Sequence, residues 1–103
     1  MNIDERVKVG VLIKYYGNLL TKKQRDIIDM YVDNNLSLAE VSEELNISRQ
    51  AVKDTLDKSI QSLTKAEEKL KFISRDKKIK NIIENLSIDT VTKLSVLSVL
   101  EEE

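Results

Sequence analysis

Ser37-Leu38-Ala39-Glu40-Val41-Ser42-Glu43-Glu44-Leu45-Asn46-Ile47-Ser48-Arg49-Gln50-Ala51-Val52 reads as a short capped helix, a tight turn and the start of a second capped helix. Ser37 and Glu40 have the spacing of a capping box, in which each side chain satisfies a backbone N–H of the other residue. Val41 and Leu45 then fall three and seven residues past Leu38, on one helical face. Asn46 is one of the few residues other than glycine that tolerates a left-handed backbone, and Ser48 is a good N-cap for the next helix. Val41, Leu45, Ile47 and Val52 are spaced so that two helices cross over a shared core, and the small Ser42 permits close approach. The segment therefore reads as a helix-turn-helix in preference to an unrelated helical hairpin. With Val52 and Leu56 turned inward, Ser48, Arg49, Gln50 and Lys53 face outward at the start of the second helix. Arginine matches guanine and glutamine matches adenine in the major groove, and a helix N-terminus favours a phosphate. Asp54 and Asp57 lie on or beside the same face, where phosphates would repel them.

Upstream, Thr21 and Gln24 form a second capping-box pattern, followed by an apolar face of Ile27, Ile28, Met30 and Tyr31 until Asn34-Asn35 breaks it. An earlier helix is predicted from Asp4 to Gly17, with Val7, Val11, Leu12 and Tyr15 inward and Gly17 as a left-handed cap. Tyr15, Tyr16 and Tyr31 read as core residues. Downstream, Val52, Leu56, Ile60, Leu63, Leu70 and Ile73 hold helical phase with no breaker, which predicts one helix from Arg49 to about Arg75. Ile79, Ile82, Ile83 and Leu86 form one further face. After a cap at Ser87, Ile88, Val91, Leu94, Leu97 and Leu100 form another, and the closing Glu101-Glu102-Glu103 is expected to fray at the negative end of its helix. The expected fold is all-α: a helix-turn-helix domain over residues 1–64 with a long recognition helix, and a helical C-terminal extension over 65–103. Val96 and Val99 widen the apolar surface between Ile88 and Leu100 beyond what one helix buries, so a homodimer through this extension is expected.

Composition narrows the chemistry. The 103 residues contain no Cys, His, Pro or Trp and only two Gly; 41% are apolar but only 4% aromatic, so the core is Leu, Ile and Val. Without Cys or His there is neither a disulfide framework nor an ordinary zinc or iron site, and no metal or cofactor is expected. Asp26, Asp29 and Asp33 line one side of a helix, whereas hard-cation sites need acids converging from a loop or several segments; a solvated stripe is the better account. There is no histidine for proton transfer, no thiol nucleophile and no glycine-rich phosphate loop, so no enzyme is expected. No apolar run reaches bilayer length and the start lacks a signal-peptide pattern; a cytoplasmic protein without membrane insertion is expected.

The net charge of −1 hides an uneven distribution. Residues 1–64 balance to −1, residues 65–80 to +4 and residues 81–103 to −4. Lys22, Lys23 and Arg25 suit a grip on a phosphate backbone beside the helix-turn-helix, or a solvated helix start. Lys65, Lys69, Lys71, Arg75, Lys77, Lys78 and Lys80 form the one strongly basic segment. RNA would be drawn there first; interleaved Glu67 and Glu68 support the alternative of a helix face with internal ion pairs.

Leu20-Thr21-Lys22-Lys23-Gln24-Arg25-Asp26-Ile27-Ile28, Ser37-Leu38-Ala39-Glu40-Val41 and Ile47-Ser48-Arg49-Gln50-Ala51-Val52 together resemble the fourth conserved region of bacterial sigma factors. The match is closer to the YlxM-like family, whose signature resembles residues 15–25 (Tyr-Tyr-Gly-Asn-Leu-Leu-Thr-Lys-Lys-Gln-Arg) and 47–52 here. The resemblance covers about residues 7 to 75. It implies a sigma-like helix-turn-helix fold and a regulatory role in the signal recognition particle pathway, with the particle's RNA or its GTPase protein as partner. A sequence-specific DNA-binding regulator is the alternative. Asn46 stands where many sigma-like modules have glycine.

Overall fold

A computed structural model of the chain describes residues 1–86 and 89–101. The described residues contain no strand and form six α-helices: α1 (Ile3–Tyr16), α2 (Lys22–Ile28), α3 (Leu38–Leu45), α4 (Arg49–Leu70), α5 (Phe72–Glu84) and α6 (Thr90–Glu101). The expected cap at Ser87, the start of an apolar face at Ile88, and Glu102–Glu103 lie outside the described residues. The chain divides into two compact units, Met1–Lys69 and Leu70–Glu103.

In the first unit the local signals act as read. Thr21 accepts from Gln24 N at 3.2 Å while the Gln24 side chain accepts from Thr21 N at 3.0 Å. Ser37 and Glu40 form the equivalent reciprocal pair at 3.0 and 3.1 Å. The buried residues are Val9, Ile13 and Tyr16 of α1, Ile27, Ile28 and Val32 of α2 and the turn that continues it, Val41 of α3, and Val52, Leu56 and Leu63 of α4. Ser59 is completely buried on α4 without cost, because its hydroxyl donates to Thr55 O at 2.7 Å. Tyr16 buries its ring and donates its hydroxyl to Glu67 at 2.6 Å, tying α1 to the far half of α4.

Several expectations for this unit are corrected. The inward face of α1 is Val9, Ile13 and Tyr16, while Val7 and Val11 are exposed. The helix is apolar on several sides, so periodicity could not choose among them. Tyr15 and Tyr31 are only half-buried. After Ile28 the chain widens into a π-helical turn, Asp29–Asp33, closed by Asn34 N to Asp29 O at 3.1 Å; Val32, not Tyr31, becomes the buried residue. Arg6 covers this helix end. Its Nη1 donates to Tyr31 O at 2.7 Å and Val32 O at 3.1 Å, a cation on orphan carbonyls, and its guanidinium lies 5.5 Å from the Tyr31 ring centre. Gly17 is right-handed (φ −56°) and leads into a 3₁₀ turn, Gly17–Leu19. Glycine leaves room there for the Arg25 guanidinium, whose central carbon lies 2.9 Å from where a Cβ would stand; any other residue would make this flexible side chain shift.

The long helix is shorter than its apolar phase suggests. It ends at Leu70, and Lys71 adopts a left-handed conformation (φ 55°) whose carbonyl opens α5 by accepting from Arg75 N at 2.9 Å. Neither glycine, proline nor asparagine marks this break. In the second unit α5 and α6 pack on each other, with Ile83 buried and Leu97 and Leu100 half-buried. Lys93 Nζ donates to Glu84 O at 3.1 Å and Lys80 pairs with Glu101 at 3.6 Å. Asp89 caps α6, accepting from Thr92 N at 2.9 Å and from the Thr92 hydroxyl at 2.8 Å.

A left-handed non-glycine residue costs about 1–2 kcal/mol, so Lys71→Gly is expected to raise the thermal midpoint, and a fall would contradict the turn. The bond from Thr92 N, then that from its hydroxyl, holds the Asp89 carboxyl below its ordinary value of 3.8. A folded-state value below the unfolded one means that this stabilisation is present above 3.8 and is lost as pH falls through the folded-state value. Acid titration followed by circular dichroism should therefore show a loss of helix in the wild type that Asp89→Asn removes, since asparagine caps without titrating.

Candidate nucleic-acid interface

The α3–α4 connection is built from backbone bonds. Asn46 lies at φ 54°, ψ 47°; its N–H reaches Glu43 O at 3.4 Å while Ile47 N donates to Ser42 O at 3.1 Å. These two bonds close the end of α3 in the pattern of a Schellman motif. Ser48 then accepts from Ala51 N at 3.0 Å and caps α4. Val41 and Val52, one on each helix, are completely buried. The turn is thus anchored on both sides, which fixes the exposed first turn of α4.

Arg49, Gln50, Lys53 and Asp54 are all exposed there. Gln50 Nε2 donates to Asp54 Oδ1 at 2.8 Å, and Lys53 pairs with Asp57 at 3.3 Å. The face expected to read bases is therefore partly satisfied by its own acids. Exposed i,i+4 pairs of this kind are worth only about 0.2–0.5 kcal/mol, so an incoming phosphate would displace them at little cost, but the freed carboxylates would remain beside it.

Lys22 and Lys23, at the first turn of α2, come to the same region. Together with Asp26, Leu45 and Ile47 they line an open groove of about 410 Å³ directly before Ser48. This proximity joins two segments that the sequence leaves 24 positions apart at Lys23 and Ile47. Lys22 pairs with Asp26 at 3.1 Å, whereas Lys23 is exposed and makes no ion pair among the described residues. Arg25 is differently employed: its Nε donates to both Asp29 oxygens at 3.2 and 3.1 Å and its guanidinium packs over Gly17. The acidic stripe of α2 is accordingly engaged in ion pairs at Asp26 and Asp29. Among the described residues no group of three acidic side chains is placed to hold a metal ion.

The C-terminal basic run is not one continuous helix face. Lys65 and Lys69 lie on α4 in the first unit; Arg75, Lys77 and Lys78 lie on α5 in the second, beyond the Lys71 turn. Arg75 pairs with Asp76 at 3.1 Å and stacks on Phe72 at 5.0 Å. Sequence reading missed Arg6 as a helix-end cation and Leu45 with Ile47 as the groove's apolar wall. Arg6 meets its carbonyls 25 and 26 residues away, and no local pattern announces such a contact.

Residues 3–101 match the family described as "Putative helix-turn-helix protein, YlxM / p13 like", UPF0122. The chain is similar to UPF0122 protein YofM of Lactococcus lactis, 35% identical over 109 residues that cover 100% of this chain and 98% of the relative. It is 42% identical over 82 residues to a UPF0122 protein of Desulforamulus reducens, covering 79% of this chain and 70% of the relative. A UPF0122 protein of Thermoanaerobacter is 45% identical over 83 residues, covering 81% and 71% respectively.

Removing the α4 cap by Ser48→Ala should cost about 1 kcal/mol in urea unfolding. Ser62→Ala, on an exposed mid-helix position, should be neutral or slightly stabilising because alanine is the better helix former. Equal effects at both sites would show that Ser48 does not hold the turn.

Proposed function

Since the chain belongs to the UPF0122, YlxM/p13-like helix-turn-helix family, we propose that it is a regulatory binding protein of the signal recognition particle pathway. In this reading it is not an enzyme. It acts in the cytoplasm and docks through its helix-turn-helix on the particle's RNA, with the particle's GTPase protein as a further partner. The observation that carries the nucleic-acid part is the convergence of Lys22 and Lys23 with the turn that presents Arg49. Lys22 and Lys23 thereby come to the turn that precedes the capped start of α4, an arrangement suited to phosphate.

RNA is preferred to duplex DNA because Gln50 and Lys53 are matched to Asp54 and Asp57. What is left outward is a set of separated positive points, which suits backbone and shape recognition better than base reading. The second reading, a sequence-specific DNA-binding regulator, is favoured by one specific feature: exposed Arg49 and Gln50 in the first turn of a Ser48-capped helix, where such modules read base edges. No helix of the described residues is long and apolar enough to cross a membrane.

The deciding measurement titrates the full chain against particle RNA, duplex DNA and the GTPase protein at two salt concentrations. RNA binding should weaken and lose salt dependence in Lys23→Ala/Arg49→Ala, each lost phosphate contact lowering the slope by about 0.7 for single-stranded and 0.9 for duplex nucleic acid. Asp54→Asn/Asp57→Asn should strengthen binding by removing repulsion. Preference for one DNA sequence, relaxed by Arg49→Ala, would favour the regulator. Binding to the GTPase protein alone would place the contact on protein, and no binding to any of the three near physiological salt would reject both readings.

A further inference from the structure

Within the second unit, helix α6 has one face on α5 and another that α5 leaves uncovered. Lys93, Leu97 and Leu100 are half-buried on the first. Val91, Leu94 and Val99 are 74, 62 and 63% exposed on the other, with Ser95 and Ser98 between them, at the i, i+3, i+4, i+7, i+8 spacing of a buried helical stripe. Ile82 and Leu86 of α5, in the same unit, are also exposed apolar residues.

We propose that this face is covered by a second copy of the chain, which pairs with it about a two-fold axis through α6. The unit Leu70–Glu103 falls below the roughly 40 residues at which disulfides, metals or oligomerisation are usually needed for stability. The chain has no cysteine for the first, and its described residues have no metal-holding cluster for the second. Several polar side chains of α6 are already engaged within the unit. The Thr92 hydroxyl donates to Asp89 at 2.8 Å, Ser95 donates to Val91 O at 3.0 Å, and Lys93 and Glu101 are engaged by Glu84 O and Lys80. Burying the stripe therefore strands none of these groups. Its only charged residues on α6, Lys93 and Glu101, are turned to α5 partners, so the stripe offers no charge by which to select a nucleic acid or an acidic protein. A neutral apolar stripe is self-complementary under two-fold symmetry. The inference does not depend on what the helix-turn-helix binds.

Light scattering across a concentration series should give a mass of twice 11.8 kDa for the intact chain and 11.8 kDa for Leu94→Glu. Circular dichroism would confirm that this exposed substitution leaves the fold intact. If Leu94→Glu does not fold, Val91→Glu, at a still more exposed position, is expected to give the same monomer. Val7→Glu, in the exposed apolar stripe of α1, should remain dimeric. A monomeric intact chain at the highest soluble concentration, a dimer that survives the α6 substitution, or a dimer lost only with Val7→Glu would overturn the proposal.

Discussion

The left-handed residue Asn46 is the constraint on which the helix-turn-helix depends. By letting Asn46 and Ile47 bond back to Glu43 and Ser42, it ends α3 within one residue and redirects the chain so that Val41 and Val52 are both buried. A longer connection would leave the relative rotation of α3 and α4 open and place Arg49 and Gln50 over a range of directions. Asparagine supplies this conformation at less cost than a β-branched residue would, because its short polar side chain tolerates the left-handed region. The capping groups of Ser37 and Ser48 act on either side of the same turn and set where each helix begins.

Charge in the first unit is divided between structural and outward-facing groups. Arg6 is spent on the carbonyls that end the π-helical turn, and Arg25 on Asp29 and the space above Gly17. Lys22, Lys23, Arg49 and Lys53 remain at the surface, two of them loosely matched by Asp26 and Asp57. A net charge near zero is thus reflected locally: Lys22 and Lys53 are matched by neighbouring acids, while Lys23 and Arg49 are exposed without an ion pair among the described residues. Weak pairing of this kind limits non-specific attraction to polyanions and leaves affinity to depend on geometry.

The second unit poses the opposite problem. It has little core of its own, Ile83 being its buried apolar residue, while α6 carries apolar groups around most of its circumference. A helix of that composition is poorly suited to standing alone in water and well suited to being covered. The turn at Lys71 separates this unit from α4 in the sequence without any residue that favours a break, which makes it a costly feature of the backbone.

Local order was legible from sequence wherever the deciding interaction spans four residues or fewer. Both capping boxes, the left-handed Asn46, the Ser48 cap and the all-helical class rest on such contacts, as does the assignment of Val41 and Val52 to the core. Only the tertiary structure could decide which face of α1 turns inward, because that helix is apolar on several sides and its neighbours select Val9, Ile13 and Tyr16. The break at Lys71 was equally invisible, since apolar phase continues through Leu70 and Ile73 while the backbone does not. The candidate site divides in the same way. Residue types at Arg49, Gln50 and Lys53 follow from helical phase, but the groove with Lys22 and Lys23 and the diversion of Arg25 come from contacts between separate helices. A single sequence carries no local signal for such contacts, because they arise only when burial brings distant segments together.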